Sequence, residues 1–121
     1  MNAVGVSATL ILSVGYDPVL LGTRRLLLQS AGYIVESSGS VENAIYRFRT
    51  GDFDLVVLCH SMPEQERRRL LHLIRDYGSA TPVIFISSAE PSPDGFSDLS
   101  IENHPAALLD AVRAMLLRKK T

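Results

Sequence analysis

Apolar residues arrive in short blocks, and the blocks alternate between strand-like and helix-like spacing. Thr9 to Val14 (Thr-Leu-Ile-Leu-Ser-Val) predicts a first strand. Asp17-Pro18 then opens a helix, since Asp accepts from unpaired first-turn amides and Pro loses nothing at the first helical position. Leu20, Leu27 and Ala31 share one face of that helix, and Gly32 ends it. Tyr33 to Ser37 predicts a second strand. Ser40 caps a second helix, with Val41, Ala44, Ile45 and Phe48 at helical spacing and Gly51 at its close. Pro63 opens a third, whose apolar positions are Leu70, Leu73, Ile74 and Tyr77, closed by Gly78. Pro82 to Ser87 predicts a fourth strand and about Leu99 to Glu102 a brief fifth. Pro105 to about Arg118 predicts a last helix, with Leu108, Val112 and Met115 turned inward.

The centre of the pattern is Leu55 to Leu58, a continuous apolar run with two β-branched residues, too short for a helix. Between Gly51-Asp52 and Pro63 it predicts a strand buried on both faces, of the kind found inside parallel sheets covered by helices. The strand–helix alternation with short loops predicts an α/β fold: a flavodoxin-like, doubly wound, five-stranded parallel sheet in the order 2-1-3-4-5. Its crevice lies over the C-terminal ends of strands one and three, where the residue leaving the central strand is Cys59. The rhythm breaks between Ser87 and His104. Pro91, Pro93 and Gly95 lie too close together for a regular helix, so the fourth helix is expected to be missing or reduced to a turn.

Composition narrows the class. A chain of 121 residues, 46% hydrophobic and 21% charged, has the make-up of one globular domain. We expect that domain at 9–118, after a loose N-terminal arm at 1–8. A net charge of −1 marks neither a nucleic-acid nor a membrane partner. Arg67-Arg68-Arg69 reads as a solvated helix face rather than a phosphate site. Cys59 is the sole cysteine, so no internal disulfide forms and a reducing cytoplasm is the expected compartment. The apolar stretch Val4 to Val14 lacks a basic lead and is too short to span a bilayer.

Several spaced features carry a family resemblance. They are Asp54-Leu55-Val56-Val57-Leu58 followed by Met62-Pro63, Asp17-Pro18 after the first strand, Gly32-Tyr33 before the second and Pro82-Val83-Ile84 in the fourth. Together they resemble the CheY-like receiver domain of two-component response regulators, over roughly Leu10 to Leu117. The resemblance implies phosphoryl transfer from a histidine kinase to an aspartate, with magnesium held by an acidic pair and a hydroxyl and a lysine on the phosphoryl group. It also implies a signalling face built by the fourth helix and the last strand. Matched position by position, the acidic pair falls on Gly15 and Tyr16, with Asp17 beside them, and the acceptor aspartate falls on Cys59. The hydroxyl falls on Ser87, the lysine on His104 before Pro105, and the aromatic switch on Ile101, while Arg67 stands where a glycine is usual. The family's lysine–proline bond is usually cis, so the His104–Pro105 peptide is expected to be cis.

Elementary chemistry gives these replacements weight. Magnesium wants hard oxygen ligands, typically carboxylates, and Gly15 offers none. A phenol such as that of Tyr16 is neutral near pH 7, and a thiol such as that of Cys59 is too soft for magnesium. An imidazole in place of a lysine is a weaker phosphate partner. The expectation is therefore a stand-alone, non-enzymatic signalling domain with a degenerate pocket formed by Gly15, Tyr16, Asp17, Cys59, Ser87 and His104. It is not phosphorylated, needs no cofactor or metal, and acts through a protein partner; Leu21, Leu26, Leu109 and Leu117 exceed one helical stripe and leave surface for such a contact or for a homodimer. The alternative is a small redox or thiol enzyme in which Cys59, His104 and Asp17 converge as a thiol–imidazole–carboxylate group. In the simplest reading Cys59 is a small buried hydrophobe, His60 a loop residue and His72 part of an exposed helix face.

Overall fold

The apolar runs become five parallel strands: β1 (Leu10–Val14), β2 (Ile34–Ser38), β3 (Leu55–Cys59), β4 (Val83–Ser87) and β5 (Leu99–Glu102). The computed structural model describes residues 9–77, 79–88 and 97–120, with side chains as far as Arg118. The arm expected at 1–8 and the helix-closing Gly78 lie outside the described residues. The strand order is β2-β1-β3-β4-β5, as the alternation predicted. Val14 lies opposite Leu58, and Cys59 opposite Ile86, so the ends of β1, β3 and β4 come level at one edge of the sheet.

All residues of β3 are buried, because both of its faces are covered. Leu12, Val14, Val56, Leu58, Val83 and Phe85 meet helices α2 (Val41–Thr50) and α3 (Glu64–Asp76) on one side. Ile11, Leu55, Val57, Ile84, Ile86 and Ile101 meet α1 (Pro18–Ser30) and α4 (Pro105–Lys120) on the other. Each fully buried Val or Leu contributes about 1.5–3 kcal/mol relative to exposure, which is why a polar residue in β3 would be costly. Asp54, just before β3, fixes its start: its carboxylate accepts from Leu10 N at 2.9 Å and its own amide donates to Leu10 O at 2.8 Å.

The predicted caps form. Asp17 Oδ1 accepts from Val19 N at 2.9 Å and Leu20 N at 3.4 Å, and Ser40 Oγ accepts from Asn43 N at 3.0 Å. Gly32, at φ +96°, supplies the left-handed turn after α1 that a side chain would resist. The inward residues of α2 and α4 are the expected ones. Two expectations fail at helix ends. Ala31 and Tyr77 are exposed, because each follows the last helical residue and leaves the helical register; Tyr77 leans edge-on against Phe48 at 6.2 Å between ring centroids.

Two further expectations are corrected. The His104–Pro105 peptide is trans. Pro105 takes the first position of α4, where a trans proline fits, and His104 serves as the cap: its carbonyl accepts from Leu108 N at 3.0 Å and its Nδ1 from Ala106 N at 3.1 Å. The reduced or missing fourth helix is not borne out either. Four helices are described, and α4 is 16 residues long, started by Pro105 and held by Leu108, Ala111, Val112 and Met115 against the sheet. The proline-broken stretch that prompted this expectation falls largely on residues 89–96, which lie outside the described residues.

Candidate functional site

The crevice over β1 and β3 is built from very small parts. Gly15, directly after β1, is buried, and its amide donates to Ser38 O at 3.1 Å. A Cβ there would lie 2.7 Å from Cys59 Cβ, 3.2 Å from Ser61 Oγ and 3.3 Å from Cys59 Sγ. The two loops approach so closely that position 15 holds no side chain. Tyr16 turns outward: its amide donates to Ser61 Oγ at 2.8 Å and its phenol to Glu66 Oε1 at 3.0 Å. Burial, first, then the hydrogen bond and charge of Glu66 and the charge of Glu42 hold this phenol above the usual tyrosine range, against a smaller pull from Arg69. Glu42 and Arg69 themselves form an exposed ion pair at 2.8 Å, each shifted chiefly by that hydrogen bond, Glu42 downward and Arg69 upward. Asp17 spends its carboxylate on the α1 cap.

Cys59 is 2% exposed, and its sulfur is surrounded by donors. Arg24 Nη1 donates to Sγ at 2.6 Å, Ser61 Oγ at 3.1 Å and Ser61 N at 3.4 Å. The guanidinium also donates from Nη2 to Asn103 Oδ1 at 3.0 Å. One side chain thus joins α1, the end of β3 and the connection from β5 to α4. Sequence reasoning missed Arg24, Ser61 and Asn103. A signal for Arg24 existed: it stands four residues from both Leu20 and Leu28, on the inward stripe of α1, and is 5% exposed.

The other expected site residues are more scattered. Ser87 ends β4 opposite Glu102 and is half-buried. His104 is exposed, with Nδ1 taken by Ala106 N. Cys59, His104 and Asp17 therefore do not form the thiol–imidazole–carboxylate group. Among the described residues the hydrogen bonds of the Cys59 sulfur go to Arg24 and Ser61, and no three His, Cys, Asp or Glu side chains gather as metal ligands. Arg67 lies 3.9 Å above the ring of Phe85, in the middle of β4, and donates to Met62 O at 3.3 Å. His60 is half-buried in the loop after β3, and His72 is exposed on α3. Leu26 and Leu117 are exposed, whereas Leu21 and Leu109 are half-buried. No described helix is long and apolar enough to cross a membrane.

The same architecture occurs in solved receivers. A CheY-like receiver domain protein from Methanospirillum hungatei JF-1 is 19% identical, covers 94% of this chain and 98% of its own, and superposes with a TM-score of 0.82. Chemotaxis protein CheY4 of Vibrio cholerae is also 19% identical, with 90% and 99% covered and a TM-score of 0.79. The response regulator TrrA from Thermotoga maritima, solved with magnesium and beryllium fluoride, is 22% identical, with 88% and 98% covered and a TM-score of 0.78. At such identities the likeness shows the fold alone. None of the curated proteins matches. The family model for the response regulator receiver domain matches residues 11–104, most of the chain and all of the crevice, so the protein belongs to the receiver-domain family of two-component signalling.

Proposed function

We propose that this receiver domain signals without being phosphorylated, by contact with a protein partner. The observation that carries the reading is the filled end of β3. A thiol stands where the family places its acceptor carboxylate, and Arg24 and Ser61 already donate to its sulfur. Magnesium does not suit the side chains present. Gly15 has no side chain and no room for one, Tyr16 points its hydroxyl at Glu66, and Asp17 is engaged as a cap. Phosphoryl transfer relies mainly on positioned positive charge around the transferring group, so loss of the metal set removes most of the catalysis. The Arg24 bridge offers a different role for the crevice. It ties α1, β3 and the β5–α4 connection in one arrangement, so the surface carried by those elements is held ready for a partner without a phosphoryl group. Exposed Val19, Leu26 and Leu117 supply apolar contact area on these helices.

The test is incubation with acetyl phosphate and magnesium, followed by intact-mass measurement. Wild type and Cys59→Asp are both expected to stay unmodified. A phosphoryl adduct on the wild type overturns the proposal. An adduct on Cys59→Asp alone would mean that Asp17 gives up its cap to hold the metal, and that account of the pocket would fall. Adding Gly15→Asp and Tyr16→Asp restores the acidic pair on paper, yet the new Cβ at position 15 meets the side chain of residue 59.

A further inference from the structure

We propose that the cleft between α1 and α4 binds a short aliphatic monocarboxylate, with Arg24 as its counter-ion. The site lies beside the crevice and shares Arg24 with it, and its test uses no phosphodonor. Arg24 is 5% exposed, and its two hydrogen-bond partners, Cys59 and Asn103, are not carboxylates. Among the described residues it forms no ion pair. A guanidinium carries five N–H donors, of which Cys59 and Asn103 engage two, so the hydration a buried cation loses is replaced only in part. An incoming carboxylate supplies that charge in the planar geometry that suits a guanidinium.

The space beside Arg24 defines the rest of the ligand. Arg24 and Asn103 both line a cleft of about 70 Å³ whose walls are Leu20, Leu27, Ile86 and Leu108, with Thr23 at its edge. Because Nη2 is bonded to Asn103, the charged end of Arg24 sits at this cleft rather than along a distant wall. A cavity of about 150 Å³ accommodates benzene, so this one takes a chain of about three carbons. Pro105 also lines the cleft, which places the positive end of α4 against it, and no acidic residue stands in the first turn of that helix. Glu102 is the opposing charge. It lines the cleft, is exposed, and disfavours a second negative charge on the ligand, which selects a monocarboxylate over a phosphate dianion.

Sodium butyrate is the probe, with n-butanol and n-butylammonium at matched ionic strength as controls, read by amide chemical shifts of the ¹⁵N-labelled protein. Saturable shifts are expected around Leu20, Ile86, Asn103 and Leu108 with half-saturation at about 1 mM, reasonable for a ligand of this size. Arg24→Met should weaken butyrate by about tenfold or more, the usual cost of losing a charged hydrogen-bond partner. Thr23→Trp, at an exposed position on the edge, should weaken it by closing the cleft while leaving the charge in place. Neither control should give saturable shifts at these residues. Absence of saturable butyrate shifts overturns the proposal, as does equal binding of butanol or wild-type affinity in either variant. If Arg24→Met does not fold, Thr23→Trp and the controls decide the matter.

Discussion

Gly15→Ala isolates the closest contact in the crevice. The new methyl group would sit 2.7 Å from Cys59 Cβ, an atom fixed to the backbone of the central strand and unable to swing aside. Overpacking of this kind costs about 1–3 kcal/mol. Alanine also restricts the unfolded chain, which returns about 0.4–1 kcal/mol. The net expectation is a loss of about 1–2 kcal/mol, or about 4–8 °C in melting temperature for a domain of this size. Urea unfolding of wild type, Gly15→Ala, Cys59→Gly and the double variant closes a cycle that separates the contact from other effects. Removing the side chain at 59 removes the atom that is struck, so Gly15→Ala should cost little in the Cys59→Gly background. The steric account fails if Gly15→Ala is as stable as wild type, or if its cost is the same in both backgrounds. The same contact explains why an aspartate at position 15 would strain a pocket rebuilt for phosphorylation.

Ser40→Ala should lower stability by about 1 kcal/mol through loss of the α2 cap, with Ser40→Asp close to wild type in the same urea assay. Tyr16 should lose its proton later than an ordinary tyrosine, as followed by ultraviolet titration against Tyr16→Phe, and Glu66→Ala should bring it earlier. Because the folded state, through burial first and then Glu66, holds that proton more tightly, the stabilisation is complete below the unfolded value of 10.0 and is lost as pH rises through the folded value; stability that instead grows above that pH would contradict the upward shift. Arg67→Ala should cost about 1 kcal/mol by uncovering the Phe85 ring, with Arg67→Lys retaining part of the interaction, measured by thermal unfolding.

The sequence by itself determined the architecture. The run Leu55 to Leu58 had to be buried on both faces, and Ser40, Val41, Ala44, Ile45, Phe48 and Gly51 spelled out α2 from cap to end, because burial periodicity and capping are local properties of the chain. It also placed Gly15 after β1 and Cys59 at the end of β3, whereas the structure has Ser87 ending β4 and His104 capping α4. What it did not contain was the partner of Cys59. Arg24 lies 35 positions away in sequence and Asn103 lies 79 positions from Arg24, and only the packing of α1 and α4 on one face of the sheet brings the three together. An arginine on an inward stripe reads as an interruption until a tertiary partner gives it a reason to be buried. The His104–Pro105 bond was misjudged for a related reason: proline tolerates either isomer, and its neighbours in the fold choose between them. Here they seat Pro105 as the first residue of α4, with His104 as its cap. Local rules thus fixed the elements, while contacts between residues distant in sequence decided what the site is made of.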